Sequence, residues 1–131
     1  MFNRSLFLNG LSTLVGLAFL SPAFAAEVAP FDQAAFDAAK TGGKSVLVEV
    51  TAPWCPTCKA QKQVLSELFA KPEFARLVVF DVDFDSRKDV LRELGVRQQS
   101  TLIAYKGAEE TARTTGETER SAIAALLAKT N

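Results

Sequence analysis

Apolar positions change their spacing several times along the chain, and each change marks an element. Phe31, Ala35, Phe36 and Ala39 recur at helical intervals, which predicts a helix over Phe31–Lys40 that Thr41-Gly42-Gly43 brings to an end. Ser45–Thr51, "SVLVEVT", is β-branched and nearly continuous in its apolar character, as a central strand is. From Pro56 to Ala70 the pattern returns to helix, with Ala60, Val64, Leu65, Leu68 and Phe69 set against Lys59, Lys62, Gln63 and Glu67. Pro72 interrupts it or opens a further turn through Phe74.

A second strand is predicted over Leu77–Phe84, "LVVFDVDF". Ser86 and Asp89 have the spacing of a capping box before Val90, Leu91 and Leu94, and Gly95 is placed to stop that helix. Two short strands follow, Thr101–Lys106 and Glu110–Thr115, joined by a turn at Gly107. A last helix over Thr118–Lys129 turns Ile123, Leu126 and Leu127 inward. Helices alternating with strands and ending in a hairpin predict an α/β fold. Its mixed central sheet has four to five strands, with helices on both faces.

The first 25 residues differ from the rest. Arg4, the apolar run Leu6–Leu20 and the small residues Ala23 and Ala25 fit a secretory signal peptide cut before Ala26. The expected organisation is residues 1–25 as signal peptide and 26–131 as one domain, and the expected location is the periplasm. Every acidic residue, and every basic one except Arg4, falls after residue 25. The domain is thus close to neutral and has no basic block, so nucleic acid is not an expected partner. Histidine is absent, which removes the commonest metal ligand and the usual base of a Cys-His protease.

The two cysteines of the chain stand within "TAPWCPTCK", residues 51–59, directly after the first long strand. Pro56 suits the first position of the following helix, which puts Cys55 at its N-terminus. Free backbone N–H groups and the positive end of the helix dipole favour a thiolate there. Cys58 follows one turn later on the same side of the helix. An exposed nucleophilic thiol with a second thiol in reach is what thiol–disulfide exchange requires. A structural disulfide and a metal site are the competing readings. The first closes too short a loop to restrict the unfolded chain much, and the second needs about four ligands where one chain offers two.

Trp54-Cys55-Pro56-Thr57-Cys58-Lys59 after an apolar strand resembles the active-site segment of the thioredoxin superfamily. "SVLVEV", "VDFD", "ELGVRQQSTL" and the Gly107 hairpin fall where such a domain has their counterparts. With Lys71-Pro72-Glu73-Phe74 after the motif helix, the chain is most similar to periplasmic thioredoxin-like proteins and the C-terminal domain of the thiol–disulfide interchange protein. The resemblance implies a monomeric oxidoreductase without a bound cofactor or metal, working on protein disulfides or thiols. Cys55 would attack, Cys58 would resolve and Glu49 would handle protons. Trp54, Pro56, Thr57, Gln99, Ser100 and Thr101 would line the substrate groove. A reductant in that compartment implies a membrane electron donor. Direction stays open because Pro56-Thr57 differs from the Gly-Pro of reducing thioredoxins, with reduction the first expectation.

Three positions depart from the family pattern. Glu49 stands where a buried aspartate is usual, and Asp81 where a lysine often accompanies it. A second carboxylate facing Glu49 would raise its pKa. Ser100 replaces the family's cis-proline, and a cis bond before a non-proline residue costs about 2.5–4 kcal/mol, so a trans Gln99–Ser100 peptide is expected. The lost proline ring would leave the sulfurs less shielded, while the serine brings a hydroxyl that could hydrogen-bond a thiolate or a substrate. The lost shielding supports the rival reading of a zinc or iron-sulfur protein in which two chains share their cysteines. Asp81, Asp83 and Asp85 suggest a calcium loop, but Ser86 and Arg92 stand where its glycine and bidentate glutamate belong, so they read as solvated strand-end charges.

Overall fold

The computed structural model describes residues 25–131. The signal-peptide reading therefore lies, but for Ala25, outside the described residues. The elements are β1 (Glu27–Pro30), α1 (Gln33–Thr41), β2 (Ser45–Thr51), α2 (Pro56–Phe69), a 3-10 turn at Pro72–Phe74, β3 (Val78–Asp83), α3 (Lys88–Leu94), β4 (Thr101–Lys106), β5 (Glu109–Thr115) and α4 (Arg120–Ala128). They form one mixed sheet in the order β1-β3-β2-β4-β5. The first three of these strands run parallel, and β4 and β5 are antiparallel to their neighbours.

Alternation along β2 divides the core in two. Val46, Val48 and Val50 pack with Phe36 of α1, Val90 and Leu91 of α3, and Phe80, Ile103 and Tyr105. On the other face Leu47 meets Leu65 and Leu68 of α2 and Ile123, Leu126 and Leu127 of α4. Both faces of β2 are covered, which is why its sequence reads as an almost unbroken apolar run. Glu49 is the exception, and alternation points it to the face of α2.

Several boundaries differ from the sequence reading for local reasons. Strand β1 was not predicted: it is a four-residue edge strand, largely exposed, ending in a proline that only an edge accommodates. Phe31 is in the core but precedes α1, whose N-cap is Asp32 with its side chain accepting from Ala35 N–H at 2.8 Å. No capping box forms at Ser86. Asp83 Oδ1 takes the backbone N–H groups of both Asp85 and Ser86, at 2.8 and 3.0 Å, and α3 starts two residues later without a side-chain cap. Gly95 does stop α3, in the left-handed conformation with φ of 66°. Helix α4 likewise starts at Arg120 and not at Thr118.

The inward face of α2 is centred on Cys58, Gln61, Leu65 and Leu68, an i, i+3, i+7, i+10 row. Ala60, expected inside, is exposed, and Val64 and Phe69 are only half-buried. The inward row runs straight down from the second cysteine.

Candidate active site

Strand β2 ends at Thr51, and four residues later the chain enters α2 with Cys55 as its N-cap. The Cys55 sulfur accepts the Cys58 backbone N–H at 3.1 Å, so it fills the place that a serine or aspartate oxygen takes at other helix starts. Pro56 follows at the first helical position. Cys55 and Cys58 are joined in a disulfide, with their Cα atoms 5.3 Å apart.

Neither sulfur-bearing residue is exposed, contrary to the expectation for Cys55: the residues are 3% and 2% accessible. Ser100 closes over them. Its Oγ lies 3.2 Å from Cys55 Sγ and 3.1 Å from Cys58 Sγ. The Gln99–Ser100 peptide is trans, and Ser100 has a φ of 63°, unusual for a residue with a Cβ. Its backbone is held at both ends, N–H to Val50 O at 2.8 Å and carbonyl from Gly116 N–H at 2.9 Å. Gln61 Nε2 adds a third bond, donating to the same carbonyl at 3.0 Å and to Glu117 O at 2.8 Å.

The loss of proline has therefore not bared the cysteines. Among the described residues no three of Cys, His, Asp and Glu stand close enough to hold a metal ion. The zinc or iron-sulfur rival rested on an opening at Ser100, and the hydroxyl occupies that place.

Two clefts reach the pair. One, of about 370 Å³, is bordered by Ala52, Cys55, Cys58, Lys62 and Asp81. The other, of about 320 Å³, runs past Trp54, Cys55, Pro56, Lys59 and Gln63. Cys55 borders both clefts and Cys58 only the first. Trp54 is 57% accessible yet fixed, its Nε1 donating to Asp85 Oδ2 at 2.8 Å and its ring standing edge-on to Phe84. Thr57 and Gln99 are half-buried and line neither cleft. Thr101 borders neither cleft. Its buried hydroxyl donates to Gln98 O at 2.8 Å and pairs with Thr115 at 2.9 Å, so it braces the loop.

Glu49 is 3% accessible, with Oε1 lacking any partner among the described residues. Burial pushes its carboxyl up to about 7, while the Lys62 ammonium draws it down and the Asp81 carboxylate raises it. The expected effect of Asp81 is present, but desolvation is the larger cause. The groove over Glu49, about 220 Å³, is shared with Val28, Lys62, Leu65, Ser66 and Phe69. Lys62 thus borders both this groove and the cleft at the cysteines, and it pairs with Asp81 Oδ2 at 3.4 Å.

The aspartates of the supposed calcium loop are tied into the fold and are not merely solvated. Asp81 accepts from Thr51 Oγ1 at 2.7 Å, Asp83 ties its own turn and Asp85 holds Trp54. Gln61 and Lys62 were not singled out from the sequence. Their spacing of three and four from Cys58 puts them beside it on α2 and was the available signal.

The thioredoxin family model matches residues 27–129. A thioredoxin of H type from Fagopyrum esculentum is 35% identical over 81 residues, 62% of this chain and 68% of its own. Thioredoxin Asp f 29 of Aspergillus fumigatus is 31% identical over 87 residues, 66% of this chain and 79% of its own. The crystal structure of Trxlp from Edwardsiella tarda EIB202 superimposes with a TM-score of 0.75 at 46% identity, over 77% of this chain and 98% of that one. With its sheet order, its cysteine pair at the head of α2 and a family match across the domain, this chain belongs to the thioredoxin family and is a thiol–disulfide oxidoreductase.

Proposed function

We propose that the protein works outside the cytoplasm, in the periplasm, as a monomeric reductant of disulfides in exported proteins, resupplied by a membrane dithiol donor. The observation that carries the chemistry is the Cys55 sulfur at the N-cap of α2, receiving the Cys58 N–H. In the reduced protein the same N–H group and the helix dipole favour the Cys55 thiolate.

The Cys55 thiolate attacks one sulfur of a substrate disulfide. The substrate S–S bond breaks, a Cys55–substrate disulfide forms, and the released thiolate takes a proton. Cys58 gives up its proton and attacks Cys55 Sγ. The mixed disulfide breaks, Cys55–Cys58 forms, and the second substrate sulfur leaves and is protonated. Two electrons pass to the substrate, whose two sulfurs take up two protons, one balanced by the proton Cys58 gives up and one drawn from solvent. Glu49 acts as proton acceptor for Cys58: it is buried on the α2 side of the sheet, with a pKa near 7 and a free oxygen. The cleft past Trp54 and Pro56 receives the substrate chain, with Thr57 between the cysteines on α2 and Gln99 on the loop before β4.

Export is supported by the leader-like residues 1–25, and a cut before Ala26 leaves β1, which begins at Glu27, intact. Two measurements test the reading. Protein recovered from the periplasm has the mass of a chain starting at Ala26. Equilibration with glutathione gives a potential near or below about −250 mV, while a value near about −120 mV contradicts the reducing direction.

A further inference from the structure

We propose that Ser100 is a third catalytic residue, whose hydroxyl follows the negative charge from one cysteine sulfur to the other as the disulfide opens and closes. This rests on the thiol–disulfide activity and is independent of compartment and direction.

The argument begins with reach. Ser100 Oγ is nearly equidistant from the two sulfurs, 3.2 and 3.1 Å, and among the described residues no other side-chain oxygen bonds to either. A hydroxyl has one hydrogen to donate and lone pairs to accept with. In the reduced protein it donates to the Cys55 thiolate and accepts the Cys58 S–H. In the mixed disulfide Cys55 carries no charge, and the same hydrogen turns to Cys58 as that sulfur is deprotonated. The hydroxyl transfers no proton and undergoes no redox change; it stabilises whichever sulfur is anionic.

Rigidity supports this role. A hydroxyl that served only as filler would not need a left-handed residue, and a Cβ in that conformation is strained. Ser100 is kept there by Val50, Gly116 and the buried Gln61, which makes Gln61 a positioning residue. The bond to a thiolate is charge-assisted, whereas a disulfide sulfur is a weak acceptor, so the hydroxyl favours the reduced form.

Ser100→Gly is the informative substitution, because glycine adopts a φ of 63° freely and keeps all three backbone bonds. Ser100→Ala removes the hydroxyl while retaining the strain. Ultraviolet titration of the thiolate and equilibration with glutathione, above the Cys55 pKa of each protein, provide the readouts. Hydrogen bonds to charged groups are worth enough to predict an apparent Cys55 pKa about one unit higher in both variants. The redox equilibrium then shifts about tenfold toward the disulfide, a potential about 30 mV lower. If Ser100→Gly matches the parent in pKa and potential, the proposal is overturned. It is also overturned if only Ser100→Ala shifts, since the effect then belongs to the backbone.

Discussion

Glu49 and Asp81 are partners in the parallel pairing of β2 with β3, yet their carboxyls live in opposite surroundings. Asp81 is bonded to Thr51 and Lys62, while Glu49 is buried with one oxygen unpartnered. The difference in stability follows from the sign of the Glu49 shift. Its folded pKa, about 7, lies above its ordinary value of 4.5, so burial of the neutral acid costs least below 4.5 and the advantage is lost as pH rises through 7. Denaturant unfolding of the oxidised protein should show stability falling by roughly 3 kcal/mol across that window. Glu49→Gln should be flat there and the more stable protein at pH 8; an equal decline in both would place the cause elsewhere.

Lys62 is the cation that acts on that acid, and Asp81 the anion, so their removal should move Glu49 in opposite directions. Lys62→Met raises the Glu49 pKa further, and Asp81→Asn lowers it. Carboxyl NMR titration of both variants is the direct check. A rise of about half a unit in Lys62→Met would slow mixed-disulfide resolution about twofold at pH 7, by lowering the ionised fraction. The first attack by Cys55 should be nearly unchanged.

Trp54 owes its fixed place to Asp85, which lies on the loop after β3. Asp85→Ala leaves the indole N–H to solvent and the ring free to turn about its edge contact with Phe84. The near-ultraviolet dichroism of this one tryptophan should weaken. The kcat/KM for a protein disulfide should fall by roughly threefold to tenfold, on the scale of one lost hydrogen bond. Reaction with a small disulfide should be little affected, because it does not use that surface.

How much of this could be read from the residues depended on whether local pattern or distant geometry decided the matter. Strand β2, the Gly95 stop and the cysteine pair at a helix start were legible because each rests on neighbours in sequence. Strand β1 was not, since four largely exposed residues ending in Pro30 have no alternation to detect. The inward face of α2 was misjudged because Gln61 is polar: its amide is buried for the sake of two carbonyls from distant loops. Ser86 lost its expected cap to Asp83, a competitor three residues earlier that serves two N–H groups at once. Ser100 was recognised as a departure whose hydroxyl could reach a thiolate, but its small side chain was misread as an opening. A serine gives no sequence sign that its φ will be positive, and that angle is what brings the hydroxyl onto the sulfurs.

The central claim is the division of labour between Cys55, which borders both clefts, and Cys58, which borders one. Trapping with single-cysteine variants tests it most directly. Cys58→Ser, incubated with a disulfide-bonded substrate, should accumulate a mixed disulfide that mass mapping locates at Cys55, and Cys55→Ser should accumulate almost none. Stable complexes formed through Cys58 in Cys55→Ser, with none in Cys58→Ser, would contradict the account.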